Sequence, residues 1–141
     1  MNQRLHHDPL IRDGGTSALR WQGIAASGGS VFGLWSSTGL NNGVWHHVVG
    51  TYSSAQHTAA LYVDGDLVNS NTNASSAIAT TAHPFQIGAR HNGDTFGGSI
   101  DDVAVYDHAL TAAQVAAHYA SRATTGPNVL SYADSLHCAG L

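Results

Sequence analysis

The 141-residue chain contains no glutamate and no lysine. Its nine acidic residues are all aspartate and its five basic residues are all arginine, with a formal net charge of −4. Five scattered arginines on a net-negative chain cannot supply the clustered cations that a phosphate backbone requires, which excludes nucleic acid as a partner. Charged residues make up only 10% of the chain, against about 25% in an average domain. Ser, Thr, Asn, Gly and Ala fill the surface in their place, so solubility rests on short, neutral hydrogen-bonding groups. Long apolar runs are also missing: none approaches the roughly 18 residues of a membrane span. The opening MNQRLHHDPL lacks the form of a signal peptide, so an export signal for a secreted or cell-surface protein is expected outside these residues. A single cysteine, Cys138, permits no internal disulfide and fixes no redox compartment.

What is present is a β pattern. A chain of this length fits one domain and buries about two thirds of its unfolded surface. The first 20 residues read as irregular and polar, with a turn at Asp13-Gly14-Gly15. Beyond them, short segments rich in Val, Leu, Ile and aromatic residues alternate with Gly, Asn, Ser and Asp punctuation, which predicts antiparallel strands. The expected strands are Leu19–Ile24, Val31–Ser36, Trp45–Tyr52, Ala59–Val63, Asp66–Asn69, Phe85–Ala89 and Ser99–Tyr106. Asp64-Gly65 between LYV and a second apolar pair suits a two-residue hairpin turn. Residues 70–83 read as a solvent-exposed loop containing the glycosylation-type triplet Asn73-Ala74-Ser75. One helix is expected, opened by the capping-box sequence Thr111-Ala112-Ala113-Gln114 and anchored through Val115 and Tyr119. The organisation is then an irregular segment over 1–18, a domain over 19–122 and a tail over 123–141.

Four motifs in order carry a resemblance: GVWHHVVGTY at 43–52, LYVDG at 61–65, PFQIG at 84–88, and FGGSIDDVAVY at 96–106 followed by Ala109-Leu110-Thr111. Together they resemble the laminin-G-like, concanavalin A-like jelly-roll domains over roughly residues 30–122. The resemblance implies an all-β, antiparallel two-sheet sandwich with one short C-terminal helix, often part of a larger secreted protein and commonly binding glycans or mediating adhesion. The family's usual F-D-G-x-x-D-like and T-(V/I)-x-x-W strands are not visible before Leu19. A domain without those strands leaves sheet edges free to pair with another chain, so self-association into a homo-oligomer is expected. The resemblance also implies that Asp101 helps hold a calcium ion, weak and structural here because calcium wants six to eight oxygens and the usual partners come from the first strands.

The histidine doublet His46-His47 invites a metal or acid–base reading, but adjacent side chains on a strand point to opposite faces. Trp45, His47, Val49 and Thr51 fall on one face; His46, Val48, Gly50 and Tyr52 fall on the other. Among ten histidines there is no HxH on a strand and no HxxxH on a convincing helix. Glycosidases flank the scissile bond with two carboxylates; the jelly-roll glycanases this chain resembles place paired glutamates on one strand, and glutamate is absent throughout. A lyase would need a Tyr or His base with Arg or Asn to neutralise a uronate, for which Arg90-His91-Asn92 with Tyr62 is the conceivable set. Sugar binding needs less: an aromatic platform and a few polar groups. Trp35, Tyr62, Arg90, His91 and Asn92 are the expected ligand-binding residues, facing outward together, while Trp45 is expected in the core. The favoured reading is a non-catalytic carbohydrate-binding or adhesion module of a larger secreted protein. A small lyase or hydrolase and a purely self-assembling structural piece are its rivals.

Overall fold

The computed structural model describes residues 2–6, 18–37, 39–74, 77–80, 85–89 and 95–122. Seven strands and one helix are found among them: β1 (Asn2–His6), β2 (Arg20–Ile24), β3 (Ser30–Trp35), β4 (Trp45–Ser53), β5 (Thr58–Val63), β6 (Asp66–Asn71), β7 (Ser99–Ala104) and α1 (Ala112–Ser121). β6, β5, β4, β1 and β7 form one five-stranded sheet in that order, and β2 pairs with β3 in a second. Every pairing is antiparallel.

The period-two alternation along β4 and β5 builds two apolar layers. Val48, Ala59 and Leu61 pack against Leu19, Phe32 and Leu34, joining the sheets into a sandwich. Val49 and Tyr62 face the other way and pack with Leu110 and with Val115 of α1. Leu61, Val49 and Val115 are the largest fully buried side chains, and burying each contributes about 1.5–3 kcal/mol. Trp21 closes the sandwich at a position where β4 has no side chain. Its indole lies so close to Gly50 that an added Cβ there would sit 2.6 Å from a ring carbon. The indole Nε1 donates to the Thr51 carbonyl at 3.1 Å.

The β5–β6 connection is the two-residue turn read from Asp64-Gly65: Val63 pairs with Asp66, and φ is 53° at Asp64 and 88° at Gly65. Helix α1 starts on the expected capping box. Thr111 accepts from the Gln114 N–H at 3.3 Å, and Gln114 Oε1 accepts from the Thr111 N–H at 2.8 Å. Val115 enters the core, and Tyr119 rests on Gly65 and on the His47 ring.

Three expectations are corrected. The N-terminal residues are not irregular throughout, because β1 lies between β4 and β7 in the large sheet. Backbone pairing is available to any side chain, so neighbouring strands recruit a polar segment that propensity leaves unassigned. Residues 85–89 do not form a strand; they make one bridge, Ala89 to Thr95, and leave Phe85 and Ile87 exposed. The loop after β6 is not wholly solvent-facing, since Ala74 is buried in the core and its N–H donates to the His57 carbonyl at 3.0 Å.

Candidate functional site

The outer face of the β2–β3 hairpin follows from strand alternation. Phe32 and Leu34 point into the sandwich, which turns Gly33 and Trp35 outward. Antiparallel register sets Arg20 opposite Trp35 and Gln22 opposite Gly33. Gly33 leaves room for the indole: a Cβ there would fall 2.8 Å from a Trp35 ring carbon, so the ring lies over the glycine. The Arg20 guanidinium sits over the ring, 4.9 Å from its centroid. The Trp35 carbonyl accepts from Asn69 Nδ2 at 3.0 Å, tying the end of β3 to β6. Trp35 keeps 39% of its surface exposed. The result is a partly open aromatic ring flanked by a guanidinium and a carboxamide, on a sheet face rather than on a loop.

Tyr62 is not part of this surface. It is 7% exposed and packs with Val49, Leu110 and Val115, on the side of the large sheet away from the hairpin. One-residue alternation decides this, because Leu61 takes the inter-sheet side and sends Tyr62 to the helix side. The expectation of a shared Trp35–Tyr62 platform is therefore corrected, and Tyr62 is also withdrawn as a lyase base. Arg90, His91 and Asn92 lie outside the described residues. Trp45, expected in the core, is 48% exposed at the start of β4. Trp21, unassigned by its sequence position, takes the core place instead.

The histidine doublet diverges. His47 packs against the Tyr119 ring with centroids 5.9 Å apart. His46 is buried on the opposite face, its Nδ1 2.7 Å from Asp64 Oδ2 and its Nε2 3.1 Å from Asn42 Oδ1. Asp64 Oδ1 accepts from the His47 N–H at 3.0 Å, and the Asp64 N–H donates to the His47 carbonyl at 2.8 Å. Asn42 Oδ1 also accepts from the Val44 N–H at 3.1 Å, which fixes that atom as an acceptor. Both partners of the His46 ring are thus acceptors. The network pins the β5–β6 turn to the start of β4. Spacing alone gave no sign of it, because Asp64 reads fully as a turn former.

Asp101 is exposed on β7, and its Oδ1 accepts from the N–H of Asp102, which stands at φ 52°. Among the described residues no group of three or more His, Cys or Asp gathers to hold a metal ion. Among the described residues, Asp101 has no carboxylate partners toward the six or more oxygens that calcium takes. Asp107 and His108 form a further pair at 2.7 Å. The His108 hydrogen bond, with its charge, holds the fully exposed Asp107 carboxyl below the usual aspartate range.

A family model described as the concanavalin A-like lectin/glucanases superfamily, of laminin G type, matches residues 8–116. The chain belongs to this superfamily. Its two-sheet antiparallel sandwich with one short helix is the superfamily's architecture. Pentraxin-related protein PTX3 of Mus musculus is 30% identical over 89 residues, which cover 62% of this chain and 23% of that protein. The chain thus spans about a quarter of the length of that relative. The binding domain of Paraclostridial Mosquitocidal Protein 1 superposes with a TM-score of 0.57 at 15% identity, covering 86% of this chain and 36% of that one, a likeness of fold. An S-layer domain-containing protein from Clostridium thermocellum is 25% identical over 64% of this chain and 46% of its own, with a TM-score of 0.41, too low to argue from. No helix among the described residues is long and apolar enough to cross a membrane.

Proposed function

We propose that this protein is a non-catalytic carbohydrate-binding module of a larger extracellular protein, with the outer face of the β2–β3 hairpin as its contact surface. The observation that carries the reading is Trp35, a partly exposed indole on a rigid strand with Arg20 over its ring and Gln22 across from Gly33. The uncovered part of the indole offers a sugar ring an apolar contact, while guanidinium and carboxamide donors bond its hydroxyls. Membership of a superfamily described by its lectins and glucanases supports this choice. The absence of glutamate, which leaves no glutamate pair for glycoside hydrolysis, favours binding over cleavage.

Self-association belongs to the same reading. Among the described residues β6 and β7 are the outer strands of the large sheet, and β6 exposes Leu67 and Val68. An edge of this kind pairs with a second copy unless something covers it.

The test is a glycan array probed with the wild-type protein, Trp35→Ala and Trp45→Ala, each checked for folding by circular dichroism. The expected result is binding to a defined glycan class, weakened at least about tenfold (1.4 kcal/mol) by Trp35→Ala and kept by Trp45→Ala. Binding that ignores Trp35→Ala would move the site elsewhere. Silence across a broad array would end the carbohydrate reading.

A further inference from the structure

The chain contains two Asn-Gly pairs, Asn42-Gly43 and Asn92-Gly93. In such a pair the glycine nitrogen can attack the asparagine side-chain carbonyl carbon, because glycine presents no side chain to obstruct the approach. At Asn42 the fold places two polar groups on the side-chain carbonyl oxygen. The carbonyl oxygen, Oδ1, becomes an oxyanion as the new bond forms. The Val44 N–H points at it at 3.1 Å, and His46 Nε2 lies 3.1 Å from it, a donor when that nitrogen carries a proton. Donors fixed on the atom where charge develops stabilise the transition state without reorganising. Behind the imidazole, Asp64 Oδ2 at 2.7 Å holds Nδ1 and keeps Nε2 aimed at Asn42, as an orienting carboxylate does in a catalytic triad. Asn42 and Gly43 are exposed, Gly43 stands at φ 81°, and a Cβ built on Gly43 would meet nothing within 4 Å. The approach is open to water.

We propose that Asn42 is a self-modification site, cyclising with Gly43 under the pull of His46 and the Val44 N–H. The Gly43 nitrogen gives its proton to solvent as it bonds to Asn42 Cγ. The tetrahedral oxyanion is held by the two donors, then collapses; the Cγ–Nδ2 bond breaks and the amide nitrogen leaves as ammonia after taking up a proton. Water then opens the succinimide at either of its two carbonyls, leaving aspartate or isoaspartate at position 42. The overall change is hydrolysis of one amide, with no oxidant or reductant. It places a new carboxylate beside His46 at the entry to β4. His46 is a catalytic residue in this step because it touches the reacting oxygen; Asp64 is a positioning residue.

The absence of lysine makes the experiment direct. Trypsin cleaves after Arg20, Arg90 and Arg122, so residues 21–90 carry the Asn42 pair and residues 91–122 carry the Asn92 pair. Full-length protein is aged at neutral pH, folded and in urea, and digested. Each peptide is then followed for the mass gain of exchanging NH2 for OH, and for isoaspartate by enzymatic methyl labelling. The expected result is that Asn42 converts several-fold faster in the folded chain than in urea, with Asn92 as the internal reference. His46→Phe should bring the folded rate down to the unfolded one, and Asp64→Asn, which suits the left-handed turn position, should bring it part of the way. Melting curves establish that each variant is folded. An Asn42 rate no faster folded than unfolded overturns the proposal, as does an unchanged rate in His46→Phe. If His46→Phe does not fold, an unchanged rate in Asp64→Asn overturns it.

Discussion

At the scale of single residues, Asp64 has more tasks than any other side chain described. It occupies a left-handed turn position, accepts from the buried His46 ring and accepts from the His47 N–H. Asp64→Ala strands both donors and is expected to destabilise the fold by about 1–3 kcal/mol, read as a shift in urea midpoint at unchanged slope. Its neighbour Gly65 is constrained twice, by φ 88° and by Tyr119, whose ring carbon would lie 2.9 Å from an added Cβ. Gly65→Ala should cost roughly 1–2 kcal/mol from the backbone alone, with the Tyr119 contact adding to it. A midpoint equal to wild type in either variant would contradict this view of the turn. The turn itself was legible in the sequence, because Asp-Gly between two apolar runs has few other uses. The His46–Asp64–Asn42 network was not, because its members come from separate segments and meet only once β4 and β5 pair.

At the scale of elements, local chemistry and tertiary context divide the outcome. The capping box at Thr111 and the alternation in β4 are decided by neighbours in the chain, so both were readable. Thr111→Ala should cost about 1 kcal/mol and reduce protection of the first amides of α1 in hydrogen exchange, with the sheet amides unchanged. Uniform loss of protection would instead mean that helix and sheet unfold as one unit. β1 was unreadable for the opposite reason: NQRLH has no apolar period, and only the two strands beside it make it a strand. PFQIG failed the other way. Its apolar residues carry the period of a strand, yet Phe85 and Ile87 are exposed and no strand partner pairs with them among the described residues.

At the scale of the whole molecule, the sandwich sorts the aromatic residues. Trp21 and Phe32 fill the space between the sheets, Tyr62 lies beneath α1, and Trp35 remains outside. The fold class was available from four ordered motifs, but the composition of the site was not. Pairing a tryptophan with a tyrosine from separate strands requires knowing which face each one takes, and a one-residue shift reverses the answer. Arg20 and Gln22 gave no signal at all, since their place beside Trp35 is set by the register of the hairpin. Self-association through the sheet edges is expected to appear in light scattering as a mass above that of one chain, falling on dilution. A single-chain mass at every concentration would remove that part of the reading.

The central claim, that the hairpin's outer face meets the ligand, is most directly tested by titrating isotope-labelled protein with an array-selected oligosaccharide and mapping the amide and indole shifts by NMR. The account predicts shifts centred on Arg20, Gln22, Gly33 and the Trp35 indole, with Tyr62 beneath the helix and Val115 on its buried side unmoved. Shifts clustered around α1 or the start of β4, with the Trp35 indole silent, would contradict it.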